Sequence, residues 1–324
     1  MSMPGRPGTR SRGPRPPAAR GGPAPTATTW GSRAARPLLY AVPMSKLLAL
    51  ALAVPLLACT VGGGDDTGGG GTGPDGGGGG GDGGGGGVSG TIAADATWTG
   101  SVTISGQTVI AAGVTVTVEA GTTISFEAGG VGVNVAGVLA VQGTKAAPVT
   151  IGPAAAGGNH GGFVIPTGGA LELTYAVQTG GGIRTEGGTA TIVDSRMSRT
   201  SGDFIVMSGG ALAMSYSQLG LDAGQTGDTT HCDLHFGGTG NTVSVTHSNI
   251  ATAPYGLMFY GGTGAVFTGN NWYGNQTHVD TQPGVQGDFT GSWFEGSAPV
   301  PASGANLVGL DALATARLTD AGPR

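Results

Sequence analysis

Charge, aromatic rings and cysteine are all scarce in this chain of 324 residues: 10% are charged, 6% are aromatic and two are cysteine. Two thiols cannot build a disulfide framework. The A/E/K/L/R periodicity of a helical bundle is missing, and no window before about residue 305 reads as an amphipathic helix. No strict Gly-X-Y period accompanies the 19 prolines, which excludes collagen. No apolar run is long enough to cross a bilayer, the longest being the 12 residues from Leu47 to Ala58. What is abundant is glycine, 69 residues, about three times its usual share. The 38% of hydrophobic residues, much of it in short runs, excludes full disorder. A glycine-punctuated all-β chain with unstructured additions remains.

The first 43 residues hold seven Arg and no acid, with much Pro, Gly and Ala and no apolar period, so no fold is expected there. Met44-Ser45-Lys46 then opens a compact signal: one basic residue, the apolar run Leu47 to Ala58, and Cys59. Met44 reads as the true initiator and residues 1–43 as upstream sequence, the alternative being an unusually long basic leader. Leu56-Leu57-Ala58-Cys59 resembles the lipobox of bacterial lipoproteins. That resemblance implies cleavage of the 44–58 signal before Cys59, acylation of its thiol and attachment to the cell envelope, at the outer membrane or cell surface. A plain secretory signal with an incidental Cys is the simpler alternative.

Residues 62–87 contain 19 Gly among 26 and bury nothing, so segment 59–87 reads as a tether behind the anchor. Its r.m.s. span is about 28 Å, and stretched it reaches about 90 Å. From Cys59 onward six basic residues face all 19 acids, a net charge of −13. Such a chain has no Lys/Arg cluster with which to displace phosphate counterions, so nucleic acid is not an expected partner.

From Val88 to about residue 295 the pattern changes to bursts of alternation, such as Val114-Thr115-Val116-Thr117-Val118 and Val131-Gly132-Val133-Asn134-Val135. Gly pairs recur at 168–169, 187–188, 209–210, 237–238 and 261–262. A second column, Ser195, Ser217, Ser248 and Asn270, is followed two residues later by Met197, Leu219, Ile250 and Trp272. One repeat therefore reads strand, Gly-Gly turn, strand, polar residue, bulky apolar residue and loop. A period of about 22 residues with several short strands predicts a parallel β-helix solenoid of about nine coils between Thr91 and Asp288. A β-sandwich would account for the strands but not for the registered columns.

Two stretches also resemble the right-handed parallel β-helix family that shares its fold with pectin lyases. One runs from Asp95-Ala96-Thr97-Trp98-Thr99 through Val114–Ile124 to Gly137–Thr144, and the other spans Tyr255–Tyr260 and Asn270–Asn275. The resemblance implies the fold over about residues 90–290 and carries little about function. The enzyme signatures of that group are missing. The sole Asp-Asp, Asp65-Asp66, lies in the tether, and Asp203-Phe204-Ile205 is a chance echo of an esterase motif, with Phe204 and Val206 as core.

The densest ionisable cluster is His231-Cys232-Asp233-Leu234-His235, preceded by Asp228. In an extended strand His231, Asp233 and His235 share a face, where two imidazoles and a carboxylate suit a divalent metal such as zinc. The plain alternative is a solvated corner with Leu234 buried and no cofactor at all. His247 and His278 are expected on neighbouring coils, and Cys232 is expected to point inward and be inert. Tyr273 and Trp293 are candidates for a carbohydrate-stacking shelf, though Trp272 reads as core and Trp293-Phe294 as a cap. Residues 296–324 read as a cap or tail, with Leu307 to Leu318 as a short capping helix.

These features predict a lipid-anchored cell-surface scaffold or adhesion module, partnered by the bilayer through Cys59 and by a polysaccharide or surface protein. The competing expectation is a divergent polysaccharide lyase or hydrolase using the acids and imidazoles of 228–247. Lyase chemistry needs a base and a neutralising cation, and no basic residue stands among them.

Overall fold

The computed structural model describes residues 87–324; the signal, Cys59 and most of the tether lie outside the described residues. No helix occurs among the described residues, which form 27 short strands. Ten stack into one parallel sheet from Ala96–Trp98 to Asn306–Val308, and 17 form a second sheet running in two rows. The long strand Ser101–Ile110 turns the corner between those rows, pairing with Thr123–Phe126 at one end and Gly132–Val135 at the other. Each coil thus contributes to three faces of a parallel β-solenoid. Nine rungs of the ten-stranded face fall between Thr91 and Asp288, and Asn306–Val308 adds the tenth.

The interior is a set of stacked apolar columns. Val118, Val141, Leu173, Ile192, Met214 and Val245 stand in register along the ten-stranded face. Phe163, Ile183, Ile205, Leu234, Leu257 and Val279 do so on the third face. Period-2 alternation places these side chains inward, and burying each contributes about 1.5–3 kcal/mol. Val206 is a correction: Phe204, Ile205 and Met207 are buried, whereas Val206 alternates outward.

The second face carries the predicted polar column. Met197, Leu219, Ile250, Trp272 and Phe294 are in register, and the buried Ser195, Ser217, Ser248, Asn270 and Ser292 precede them. Each polar side chain accepts an N–H from the coil before it: Ser217 from Ser195, Ser248 from Ser217, Asn270 from Ser248 and Ser292 from Asn270, at 2.8–3.1 Å. The residue before each rung sits in the left-handed region, as at Asp194, Tyr216 and His247, which turns the chain sharply enough to aim the rung inward. The Gly pairs mark the opposite corner. A Cβ at Gly210, where φ is 90°, would collide with the Gly188 carbonyl oxygen one coil away.

The expected capping helix over Leu307–Leu318 does not form. The last rung leaves open N–H and C=O groups, and Asn306–Val308 pairs with Gln286–Asp288 to satisfy them. Gly309, at φ 76°, then turns the chain. The remaining tail runs back across the second face. Leu318 exchanges both backbone bonds with the Asn271 amide, Gly322 donates to the His247 carbonyl, and Arg324 forms a two-pronged pair with Asp194.

Candidate functional site

Successive rungs of the polar ladder are 22 residues apart except between Ser217 and Ser248, which are 31 apart. Most of the excess lies in 220–231, between the second and third faces, and it folds against the loop 199–203 of the preceding coil. The Arg199 N–H donates to Asp228 at 2.7 Å, the Thr230 hydroxyl to the Ser201 carbonyl at 2.6 Å, and the Phe204 N–H to the Cys232 carbonyl at 3.0 Å. Thr229 donates likewise to Gly202. The two loops are laced together by backbone and side chain alike.

At their junction stands Asp203. Its Oδ1 accepts hydrogen bonds from His231 Nδ1 and, at 3.0 Å, from Cys232 Sγ; its Oδ2 accepts from His235 Nδ1 at 2.9 Å. A carboxylate only accepts, so each Nδ1 carries the hydrogen in this arrangement. Burial would push the Asp203 pKa up, but the hydrogen bonds from Cys232, His231 and His235 outweigh it and hold the carboxyl below its usual value. Cys232 is fully buried, and burial followed by the Asp203 charge pushes its thiol well up, so it is protonated at neutral pH. The ligand atoms of Asp203, His231, Cys232 and His235 all lie within 4.8 Å of one another, a set of donors able to hold a metal.

Asp233, the third member of the predicted triad, is not in this group. Its side chain is fully buried, and its Oδ2 accepts the Ala251 N–H at 3.1 Å from the next coil. Burial and the negative charge of Asp228 raise its pKa well above the usual carboxylate range. Asp228 is pushed up to about 6 by burial, against the Arg199 N–H, and one oxygen of each acid lacks a partner. His247 and His278 also stand elsewhere: His247 stacks on Tyr216 with ring centres 5.1 Å apart, and His278 meets Phe294. Two tyrosines flank the imidazoles instead, Tyr255 at 6.0 Å from His231 and Tyr260 at 5.7 Å from His235.

Asp203 was legible in principle. Aligning Ile205 with Leu234 by column sets position 203 beside Cys232, and that register is the one observed. Strand spacing by itself leads instead to Asp233, the acid on the same strand as the two imidazoles.

The aromatic candidates do not form a shelf. Tyr273 is 2% exposed and its ring lies under the Arg317 guanidinium, 4.0 Å from centroid to Cζ. Trp293 is half-buried and in register with Asn271, whereas Tyr273 aligns with Ala251. Trp272 is fully buried, as expected of core. Two shallow depressions, around Gly238–Asn241 and around Gly130–Asn134, hold no carboxylate, imidazole or basic group.

No protein-family model matches this chain, and no curated protein or solved structure matches it either.

Proposed function

We propose that the chain is a non-catalytic display scaffold of the cell envelope, anchored through an acylated Cys59 and a glycine tether, that engages a polysaccharide or a surface protein along its flank. The observation that carries this reading is the outward side of the ten-stranded sheet. Its rows run through residues such as Thr117, Glu172, Thr191, Ala213 and Ser244, in register over successive coils, with the buried Ala140 between the first two. Short and mostly neutral side chains make a long ruled surface, a shape suited to an extended polymer or a flat partner. The acidic charge of the chain from Cys59 onward argues against anionic polymers as the partner.

The full chain expressed from Met44 is expected in the membrane fraction, and Cys59→Ser is expected to release it. Neutral glycans on an array should retain the protein, and incubation with uronate polymers and Ca²⁺ should yield no unsaturated product. Product that vanishes in His235→Ala would replace this reading with the polysaccharide lyase, for which the Asp203 cluster would be the site.

A further inference from the structure

We propose that Asp203, His231, Cys232 and His235 form a zinc-class metal site, closed by four protein donors, that pins loop 199–203 to loop 220–231. Three independent features converge on this corner. The repeat departs from its 22-residue spacing here, so the cluster is a local addition and not a column that stacking alone would generate. The donors come from two coils, one from Asp203 and three from His231–His235, and all four ligand atoms lie within 4.8 Å of one another. Near them in the chain, the fully buried Asp233 and the buried Asp228 each keep an oxygen with no hydrogen-bond partner, so the polar groups of this corner are not all satisfied by the protein alone.

The chemistry selects the ion. Metal–nitrogen and metal–sulfur bonds of about 2.0–2.3 Å place tetrahedral donors about 3.3–3.8 Å apart. The Asp203–His235 and Asp203–Cys232 contacts, now 2.9 and 3.0 Å, need open by less than about 1 Å to admit it. Two imidazoles and a thiolate suit Zn²⁺ and Co²⁺, whereas Ca²⁺ and Mg²⁺ require oxygen ligands. On binding, the Cys232 proton leaves to solvent and each imidazole moves its hydrogen from Nδ1 to Nε2. Thiolate and carboxylate then balance the two charges of the cation. The side chains of His231, His235 and Asp203 are 45%, 28% and 20% exposed, which leaves a path for the ion. With four protein donors and no open position, the site is structural.

The test uses the full chain carrying Cys59→Ser, so that Cys232 is its sole thiol, stripped with chelator and titrated with Co²⁺ alone. The expected result is one Co²⁺ per chain, with a thiolate-to-cobalt charge-transfer band and the strong visible absorption of a tetrahedral ion. Zn²⁺ should bleach both signals and raise the thermal midpoint. Cys232→Ser should abolish the charge-transfer band, and Asp203→Asn should weaken Co²⁺ binding by at least about tenfold. His235→Ala truncates a part-exposed ring, so it should fold and still lose the metal should the buried Cys232 variant fail to fold. Absence of the charge-transfer band in the parent, or unchanged Co²⁺ affinity in His235→Ala, would overturn the proposal.

Discussion

The early coils and the late coils of this solenoid solve the same packing problem with different side chains. Up to about residue 174 the interior is mainly aliphatic, with Ile104, Val116, Val118, Leu139, Val141, Ile151, Leu171 and Leu173 in stacked columns. From about residue 232 onward a cluster of rings joins the aliphatic columns, with Phe236, Phe259, Phe267, Phe289, Phe294 and Trp272 packed ring on ring. The polar ladder begins at Ser195, the four-donor cluster at Asp203, and the returning tail reaches back to Asp194, so all three lie beyond the early aliphatic coils. Stacked aliphatic rows tolerate strict repetition because branched side chains of similar volume superimpose from coil to coil. Large rings fill a coil unevenly, and the later coils hold their corners with hydrogen-bonded rungs and straps.

The widest expected contrast is between the two cores. Trp272→Ala should cost about 3–5 kcal/mol, and Ile151→Val about 0.5–1.5 kcal/mol, in urea unfolding monitored by circular dichroism. A loss below about 2 kcal/mol in Trp272→Ala would show that the ring cluster of the late coils is not packed as a core.

A second contrast concerns pH, and it falls in the early coils. His160 is stacked on Phe126, with Nε2 donating to the Thr179 carbonyl and Nδ1 accepting the Gly162 N–H. Burial lowers its pKa to about 4, against a hydrogen bond to Thr179 that favours the charged form. The folded state therefore binds this proton less readily than the unfolded state. The histidine's contribution is complete above about pH 6.5 and is lost as pH falls toward 4, by up to about 3 kcal/mol. His160→Gln lacks that titration, so the stability gap between parent and variant should narrow on acidification. A gap that is constant from pH 7 to pH 4 would remove this feature of the early coils.

Smaller effects separate the ladder from the strap. Ser248→Ala removes the acceptor for the buried Ser217 N–H and should cost about 1–3 kcal/mol in the same unfolding assay. Asp194 is held below the usual carboxylate range chiefly by its hydrogen bonds from Arg324, which outweigh the effect of its burial. That pair stabilises the strap above the ordinary carboxyl pKa and is lost as pH falls through the depressed value. Arg324→Ala should raise amide hydrogen exchange across Leu318–Gly322 and leave the ladder residues protected. Loss of protection at Ser217 and Ser248 would mean that the strap and the ladder form one unit.

Much of the repeat is legible in the sequence. Ser195, Ser217, Ser248 and Asn270 could be aligned because each coil must place a small hydrogen-bonding side chain at one sharp corner. The bulky residues two positions later had to meet the core. The Leu307–Leu318 helix was misread because its apolar spacing is ambiguous over so short a run, and only the open edge of the last rung favours a strand. Trp272 was readable from its column. The burial of Tyr273 was not, because the guanidinium that covers it comes from a tail with no period.

Sequence alone determined the period, the inward columns and the glycine corners, since each follows from local spacing and composition. Tertiary structure decided which residues from different coils meet. Asp203 joins His231, Cys232 and His235 because parallel register sets two loops side by side, and Arg324 reaches Asp194 across 130 residues of chain. Stacking converts spacing into columns, but contacts between irregular loops and a returning tail depend on the shape of the completed stack.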